Sequence, residues 1–189
     1  MSTEPIRQSG KMTGVISGSQ ASFRVVGLGT WLSSDDAVGL AMVSALSRER
    51  EFHACCTLLE NADAAEVASA LIEWDCAVIL VDAADMRLPP GACRFFLDRD
   101  ASLIIKTSSV STHGLGLAEG VELAKSLGFS RPVGIFGIQP FDLTPGHGLT
   151  PEMNARFPLL LDALRRECSS GRFFNESAGK KRDAPLPEL

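Results

Sequence analysis

The sequence predicts an α/β fold, a three-layer α/β/α sandwich in which a largely parallel sheet lies between two layers of helices. Two observations predict it. Short apolar runs typical of strands alternate with longer segments in which apolar residues recur at helical spacing, and this alternation is typical of parallel sheets covered by helices. One run, CAVILV at residues 76–81, is continuously apolar, as expected of a central strand that helices cover on both faces.

The first half of the chain contains two predicted strands and two predicted helices. The strands span Ser22–Leu28 and, with a weaker signal, Phe52–Thr57, and the helices span Asp36–Arg50 and Ala64–Trp74. Ser33, Ser34 and Asp35 are candidate N-caps of the first helix. Asp63 and Glu66 have the spacing of a capping box, so we expect the second helix to begin directly after Asp63.

The second half of the chain continues the alternation. Strands are predicted at Cys76–Val81, Ala92–Leu97 and Pro132–Ile138, and a helix is predicted at Gly114–Leu127. Thr150 followed by Pro151 is typical of an N-cap and the first residue of a helix, and an apolar stripe continues from there to Cys168. Pro158 lies inside this last helix, and we expect it to kink or restart the helix because proline lacks the backbone N–H.

Length and composition predict one domain between two polar ends. The chain has 189 residues, and a prior of roughly one domain per 150 residues leaves some length for tails. We expect residues 1–20 to form a disordered leader, residues 21–168 a single α/β domain, and residues 169–189 a polar C-terminal tail.

Charge, hydropathy and cysteine content exclude several classes of protein. The formal net charge of −5 gives no electrostatic reason to expect a nucleic-acid partner. No apolar run reaches the roughly 18 residues that a membrane helix needs, and no secretory signal is evident, so we expect no membrane insertion. The five cysteines include no C-x-x-C pair, which argues against a disulfide framework and favours a reducing, cytoplasmic location.

Acidic side chains follow two of the predicted strands, and a histidine precedes a predicted helix. Asp35 and Asp36 follow the first strand. Asp82 directly follows the apolar run at 76–81, and His113 lies just before the helix at 114–127. Functional residues of parallel α/β sheets gather beyond the carboxyl ends of the strands. Two carboxylates and one imidazole on one rim form a competent site for a borderline divalent metal, with coordination positions left open.

Other interpretations of the acidic residues stay open at this point. Asp35 and Asp36 are equally explained as caps of the following helix, and Asp82 as an Asx-turn that ends its strand. Gly27-Leu28-Gly29 resembles the start of a dinucleotide-binding loop. The third glycine of that motif is absent, however, and the two carboxylates would repel a pyrophosphate.

The remaining histidines and the paired cysteines have simpler interpretations. His53 is expected to be a packing residue of a strand, and His147 a residue of an exposed loop. Cys55 and Cys56 raise the possibility of a thiol hydrolase, but nothing in the sequence supplies a reason for a lowered thiol pKa. The alternative is that both cysteines are small, buried strand residues.

Four segments, in this order and at this spacing, resemble a known family. They are GLGT at 27–30 through DDAVG at 35–39, ILVDAADM at 79–86 with PG at 90–91, STHGLGL at 111–117, and GIQP at 137–140. Together they resemble the hydrogenase maturation endopeptidases, which trim the C-terminal extension from the large subunit of nickel–iron hydrogenases. The resemblance covers roughly residues 22–168 and implies a mostly parallel, twisted sheet of about five strands between helices.

The resemblance also implies a ligand set and a mechanism. The nickel ligands of the family fall on Asp36, Asp82 and His113, which are then both the metal ligands and the catalytic residues. Nickel would arrive with the hydrogenase precursor, bound to its cysteines, so the isolated chain is not expected to hold nickel tightly. A non-catalytic chaperone that binds the nickel-loaded subunit, and a self-contained metal hydrolase, are the alternatives.

Two positions depart from the family pattern. Ala37 stands where the family usually has glycine, and Cys55-Cys56-Thr57 is aligned with a turn after the second strand that is usually Gly-Gly-Thr or Gly-Gly-Ser. Because glycine permits a positive φ, we expect the cysteines to stiffen that turn.

Overall fold

The computed structural model describes residues 23–98 and 112–170, and for residues 112–116 it describes the backbone only. Within these residues, five strands form one sheet in the order β2-β1-β3-β5-β4. The strands are β1 (Phe23–Gly29), β2 (Cys56–Glu60), β3 (Ala77–Ala83), β4 (Cys93–Leu97) and β5 (Val133–Ile138). All neighbouring pairs are parallel except β4, which runs antiparallel to β5. The predicted mostly parallel, five-stranded sheet is confirmed.

Helices cover both faces of this sheet. They are α1 (Val38–Leu46), α2 (Ala64–Trp74), α3 (Thr112–Ser126) and α4 (Pro151–Ser170). Side chains of β3 alternate between two apolar clusters: Ile79 and Val81 pack with residues of α1 and α4, whereas Val78 and Leu80 pack with residues of α2 and α3. All seven residues of β3 are buried, which confirms the three-layer arrangement and the covered central strand.

The sequence predicts α2 with the bounds that the structure has, because its signals are local. The Asp63 carboxylate accepts a hydrogen bond from the Glu66 amide at 2.8 Å, and the Glu66 carboxylate accepts one from the Asp63 amide at 3.0 Å. This is the predicted capping box. The helix ends at Asp75, which adopts a left-handed conformation with φ of 41°.

Glycine allows α1 to approach β1 and β3 closely. A Cβ atom built on Gly39 would lie 2.2 Å from the Val81 carbonyl oxygen and 2.6 Å from that of Leu28. A Cβ atom on Gly27 would lie 2.6 Å from the Gly39 carbonyl oxygen. Side chains at either position would push the helix off the sheet, so packing alone accounts for Gly27.

The second strand lies later in the chain than predicted. The segment Phe52–Thr57 was predicted as a strand, but β2 spans Cys56–Glu60, and the buried Phe52 packs into the core from the turn before it. Cys55 and Cys56 therefore stand at the beginning of β2, and the expected alignment with the turn after this strand is wrong. That turn begins at Asn61, which has φ of 55° and so adopts the backbone conformation expected of a glycine there.

The first and last helices also differ from the prediction. The segment predicted to be helical from Asp36 begins as a 3-10 turn at Ser34–Ala37, and α1 ends at Leu46. α4 runs without a break through Pro158, so the helix does not restart there, and a kink at Pro158 stays a prediction. Residues 1–20 and residues 171–189 of the predicted tail lie outside the described part of the chain. No helix of the described residues is long and apolar enough to span a membrane.

Candidate functional site at the carboxyl edge of the sheet

Two of the predicted ligand residues lie side by side at the carboxyl edge of the sheet, where the parallel strands end. Gly27 of β1 is paired with Val81 of β3, so the two strands end next to each other. Asp82 is the next residue of β3, and Asp36 lies in the 3-10 turn that follows β1. Both are buried, with 2% of Asp82 and 5% of Asp36 exposed. The strand-end argument thus locates both carboxylates correctly, and their role as ligands stays a prediction.

The Asp82 carboxylate is buried without full hydrogen bonding. Among the described residues, no donor reaches its Oδ1 atom. Burial, and then the negative charge of Asp36, raise the pKa of Asp82 to about 7, against a smaller opposing effect of the Ala83 amide. A buried charged group without partners is costly in free energy, so this side chain favours either a proton or a bound cation.

The Asp36 carboxylate is held by the loop that precedes it. Its Oδ2 atom accepts a hydrogen bond of 2.8 Å from the Thr30 amide. This loop requires glycine before Thr30, because Gly29 has φ of +125° and a Cβ atom there would lie 1.9 Å from the Asp36 carbonyl oxygen. Gly29 is therefore explained by the turn that carries Asp36. Together with the packing of Gly27, this leaves no glycine of the Gly-x-Gly motif that needs a nucleotide to explain it.

Asp35 has a different role from the predicted one. It is fully buried, and its carboxylate accepts hydrogen bonds from the amides of Phe141, Asp142 and Thr150 at 2.9, 3.3 and 2.8 Å. The Thr150 hydroxyl donates a fourth, at 3.1 Å. No side-chain cap is present at the start of the 3-10 turn or of α1, so the predictions that Ser33, Ser34 or Asp35 caps this helix are wrong.

The three histidines occupy different places. His113 is the second residue of α3, so the prediction that it lies just before this helix is wrong, and its side chain lies outside the described part of the structure. Its backbone is one helical turn before Leu117, a buried residue that lines a small recess beside Asp82. His147 is in an exposed loop, as predicted, whereas His53 is exposed and its Nδ1 atom donates a 2.9 Å hydrogen bond to the Ser47 carbonyl. The prediction that His53 packs in a strand is wrong.

The recess opens between the sheet and the α2–α3 layer, and it is small. Its lining consists of Leu28, Gly29, Ala62, Val67, Asp82 and Leu117. The described residues alone contain no group of three His, Cys, Asp or Glu side chains that would hold a metal ion. Two carboxylates at this edge supply oxygen ligands only, so a complete site for nickel needs a further nitrogen or sulfur donor.

Gln139 is a residue of this edge whose role the sequence did not reveal. Its side-chain oxygen accepts hydrogen bonds from the amides of Met86 and Leu88 at 2.8 and 3.2 Å, and its amide group donates to Asp85 at 3.2 Å. It thereby fixes the loop that follows Asp82. A buried glutamine directly after an apolar strand is the signal that could have predicted this role, because a buried amide needs partners.

Cys55 and Cys56 lie away from this site. They stand at the amino-terminal end of β2, opposite the edge where Asp36 and Asp82 lie. Cys55 is buried and its thiol donates to the Phe52 carbonyl at 3.1 Å. The prediction of a buried, structural cysteine is confirmed for Cys55, whereas Cys56 is half-buried. Ala37, the other departure from the family pattern, has φ of −72°, so alanine fits there without strain.

Comparison with known proteins supports the resemblance seen in the sequence. The sequence model of the family described as hydrogenase maturation protease (HycI) matches residues 40–167. The chain belongs to this family. The match covers more than half of the chain, and it includes Asp82 and His113 but begins after Asp36.

Individual members of the hydrogenase maturation protease family are moderately similar to the chain. The hydrogenase 2 maturation protease of Escherichia coli (strain K12) is 27% identical over 142 residues, which are 74% of this chain and 86% of that protein. The hydrogenase expression/formation protein HupD of Thiocapsa roseopersicina is 27% identical over 134 residues, 70% of this chain but only 61% of that protein. The structure of the hydrogenase maturating endopeptidase HybD from E. coli matches with a TM-score of 0.63 and 26% identity, over 78% of this chain and 93% of that chain.

Membership of the hydrogenase maturation protease family confirms two expectations. The chain is of the endopeptidase class, and its α/β sandwich is the fold of these proteases. The substrate and the metal are matters for the proposal that follows.

Proposed function

We propose that this chain is the endopeptidase that removes the C-terminal extension from a nickel-loaded precursor of a nickel–iron hydrogenase large subunit. The observation that carries the proposal is the Asp82 carboxylate, which is buried beside a second carboxylate and has an Oδ1 atom without a hydrogen-bond donor among the described residues. In a member of the hydrogenase maturation protease family, a cation presented by the substrate is the natural partner for such a pair.

In this proposal the nickel ion belongs to the substrate and is read by the protease. Asp36, Asp82 and His113 complete the coordination of an ion that cysteines of the precursor already hold. Two carboxylates and one imidazole bind nickel weakly by themselves, because thiolate is the softer and stronger donor. Only the nickel-loaded precursor then docks with its peptide bond in place, and the metal serves as a template that orients the substrate.

Residues of this chain prepare the site before the substrate arrives. The Thr30 amide fixes one oxygen of Asp36, and Gln139 fixes the loop that follows Asp82. A carboxylate held near the peptide bond also accepts a proton from the attacking water, which is general base catalysis. This assigns the carboxylates two successive tasks, recognition of the ion and activation of water.

The proposal is tested by incubating the purified chain with nickel-loaded and nickel-free precursor and measuring the mass of the precursor over time. The wild-type chain should shorten only the nickel-loaded precursor. His113→Ala should abolish shortening, whereas His147→Ala, which changes an exposed loop histidine, should not change the rate and serves as the matched control.

Three outcomes contradict the proposal. Shortening of nickel-free precursor at the same rate would show that nickel has no role in recognition of the precursor. A His113→Ala chain that trims the nickel-loaded precursor at the wild-type rate would show that His113 is not a required nickel ligand. Stable binding of the precursor without any shortening identifies a chaperone instead.

A further inference from the structure

We propose that Asp35 is a positioning residue of this protease, which fixes the Asp36 carboxylate by joining the loop after β1 to the loop between β5 and α4. This inference rests on the proposed function, because it gives Asp35 a part in that reaction through Asp36. The residue does not contact the substrate itself. Its effect comes from holding its neighbour in the chain.

The contacts of Asp35 reach a segment more than a hundred positions away in the sequence. Its carboxylate accepts the four hydrogen bonds already described, from three backbone amides and one hydroxyl of residues 141–150. Its own amide donates to the Asp142 carbonyl at 3.1 Å. Both carboxylate oxygens are therefore used, and the residue is locked on both its backbone and its side chain.

Burial makes this set of contacts necessary. The Asp35 side chain has 0% exposure, and none of the salt bridges within the described residues involves it. A buried carboxylate without a cation is tolerated only when hydrogen bonds satisfy it. Thr150 is the N-cap of α4, since its hydroxyl oxygen accepts the Met153 amide at 3.1 Å, so the positive end of a 20-residue helix also faces Asp35.

Neighbouring contacts align the rest of the loop with the same segment. The hydroxyls of Ser33 and Ser34 donate to the carbonyls of Leu143 and Thr144 at 2.7 and 2.9 Å. The Gly146 amide donates to the Leu32 carbonyl at 3.0 Å. Asp35 is the buried member of this set, and the serines lie nearer the surface.

Asp36 receives its position from this arrangement. Asp35 and Asp36 are consecutive in one 3-10 turn, so fixing the backbone of the first restricts that of the second. The Asp36 side chain is then held by the Thr30 amide at 2.8 Å. Small displacements of a ligand or catalytic group lower the reaction rate strongly. Greater mobility of Asp35 should therefore displace Asp36 and slow cleavage.

The Thr30 amide provides a direct readout of Asp36 that does not depend on cleavage. Asp35→Asn keeps the size of the side chain but replaces one acceptor oxygen with an NH₂ group. At least one of the donors that now bind Asp35 would then face another donor. We expect the amide hydrogen exchange rate at Thr30 to rise by a factor at least ten times larger than the factor at Leu80. Leu80 lies in the centre of β3, and its amide reports global unfolding. Cleavage of nickel-loaded precursor should fall about tenfold or more.

A destabilised variant elsewhere separates positioning from loss of stability. Leu71→Ala removes a fully buried side chain of α2, and exchange at Thr30 should accelerate no more than at Leu80 in that variant. If Asp35→Asn does not fold, Thr150→Val serves as the second variant. It removes one hydroxyl donor to Asp35 and also the N-cap of α4, so exchange at the Met153 amide is followed as the reporter of the lost cap. Thr150→Ser keeps that hydroxyl and should restore protection at Thr30.

Each outcome decides the inference. Protection of Thr30 at the wild-type level in Asp35→Asn overturns it, whether or not cleavage falls. Faster exchange at Thr30 with cleavage at the wild-type rate also overturns it. An Asp36→Asn chain that cleaves normally refutes the proposed function instead, and the exchange experiment still shows whether Asp35 positions Asp36.

Discussion

Asp35 and Asp82 are both buried carboxylates at the carboxyl edge of the sheet, but their surroundings are opposite. Asp35 accepts four hydrogen bonds, through both of its oxygens. Asp82 has an oxygen that no donor of the described residues reaches, and burial with the nearby charge of Asp36 raises its pKa to about 7. The difference separates a carboxylate that joins two loops of the fold from one that has an unsatisfied oxygen, which the proposed function assigns to a metal ion.

The contrast predicts opposite consequences for the two side chains. Removing a satisfied carboxylate leaves its donors buried without partners, which costs stability. Removing an unsatisfied one relieves the cost of burying it. Stability and function should therefore separate: Asp35 contributes to stability and, through Asp36, to the reaction, whereas Asp82 contributes to the reaction at a cost in stability.

The largest expected effect is the loss of cleavage in Asp82→Asn. We expect the rate on nickel-loaded precursor to fall at least about a hundredfold, because an amide is a poorer ligand than a carboxylate, and even residues that only support a ligand are worth about 10–100-fold. The free energy of unfolding at pH 8 should not decrease. Asp85→Asn is the control, since its side-chain oxygen still accepts from the Arg87 amide and from the Gln139 side chain. Cleavage by Asp82→Asn at more than a tenth of the wild-type rate would contradict this expectation.

The second effect is on the pH dependence of stability. The pKa of Asp82 is raised from 3.8 to about 7 on folding, so the folded state binds more protons than the unfolded state between these values. The contribution of Asp82 is fully present below pH 3.8, and it is lost as the pH rises through about 7. The loss amounts to about 4 kcal/mol.

Urea unfolding of the wild type and of Asp82→Asn at about pH 4 and pH 8 isolates this contribution. The wild type should lose stability relative to the variant as the pH rises. Parallel curves for the two proteins would mean that Asp82 titrates normally in the folded chain.

The third effect is the destabilisation of Asp35→Ala, which we expect to be about 2–4 kcal/mol. Three backbone amides and a hydroxyl would lose a charged acceptor in a buried place. Urea unfolding at pH 7 measures the change. Asp75→Asn, which removes the charge of an exposed salt bridge to Arg131 and tolerates the left-handed backbone at this position, is the control and should have a much smaller effect. Equal effects in the two variants would show that Asp35 is not the structural carboxylate described here.

The smallest effect concerns the amino-terminal end of β2. Cys55→Ala should lower the free energy of unfolding by about 1 kcal/mol, because a small buried side chain is lost, and Cys56→Ala should lower it by less. Cleavage by the folded fraction should be unchanged in both. A fall in cleavage would place the cysteines in the functional site and weaken the contrast between the carboxylates at one edge and the packing residues at the other.

Local signals in the sequence predicted most of the fold. The capping box at Asp63 and Glu66 fixed α2, and the continuous apolar run at 76–81 predicted the central strand. The prediction placed β2 too early because β2 is a half-exposed edge strand with a weak apolar pattern. The strand was predicted to begin at the apolar residue Phe52, which instead packs into the core from a turn. Side-chain periodicity does not distinguish an apolar residue that is buried in a strand from one that is buried in a turn.

The site was predictable in part for a similar reason. Strand ends pointed to Asp36 and Asp82, because the carboxyl ends of parallel strands meet at one edge. The role of Asp35 was not predictable from neighbouring residues, since its donors come from residues 141–150. In the sequence, a carboxylate next to the start of a helix is predicted to be an N-cap. Only the folded structure shows that its hydrogen-bond donors come from a distant segment.

The carboxyl carbon of Asp82, followed by ¹³C NMR as a function of pH with and without Cd²⁺, tests the central claim most directly. Its resonance is assigned by its absence in Asp82→Asn. We expect a midpoint near pH 7 in the isolated chain. At about pH 6, we expect added Cd²⁺ to shift the resonance to that of the ionised form, because a bound cation favours the charged carboxylate. A midpoint near the ordinary value of 3.8 that Cd²⁺ does not change would contradict the claim that the fold keeps this carboxylate for a cation.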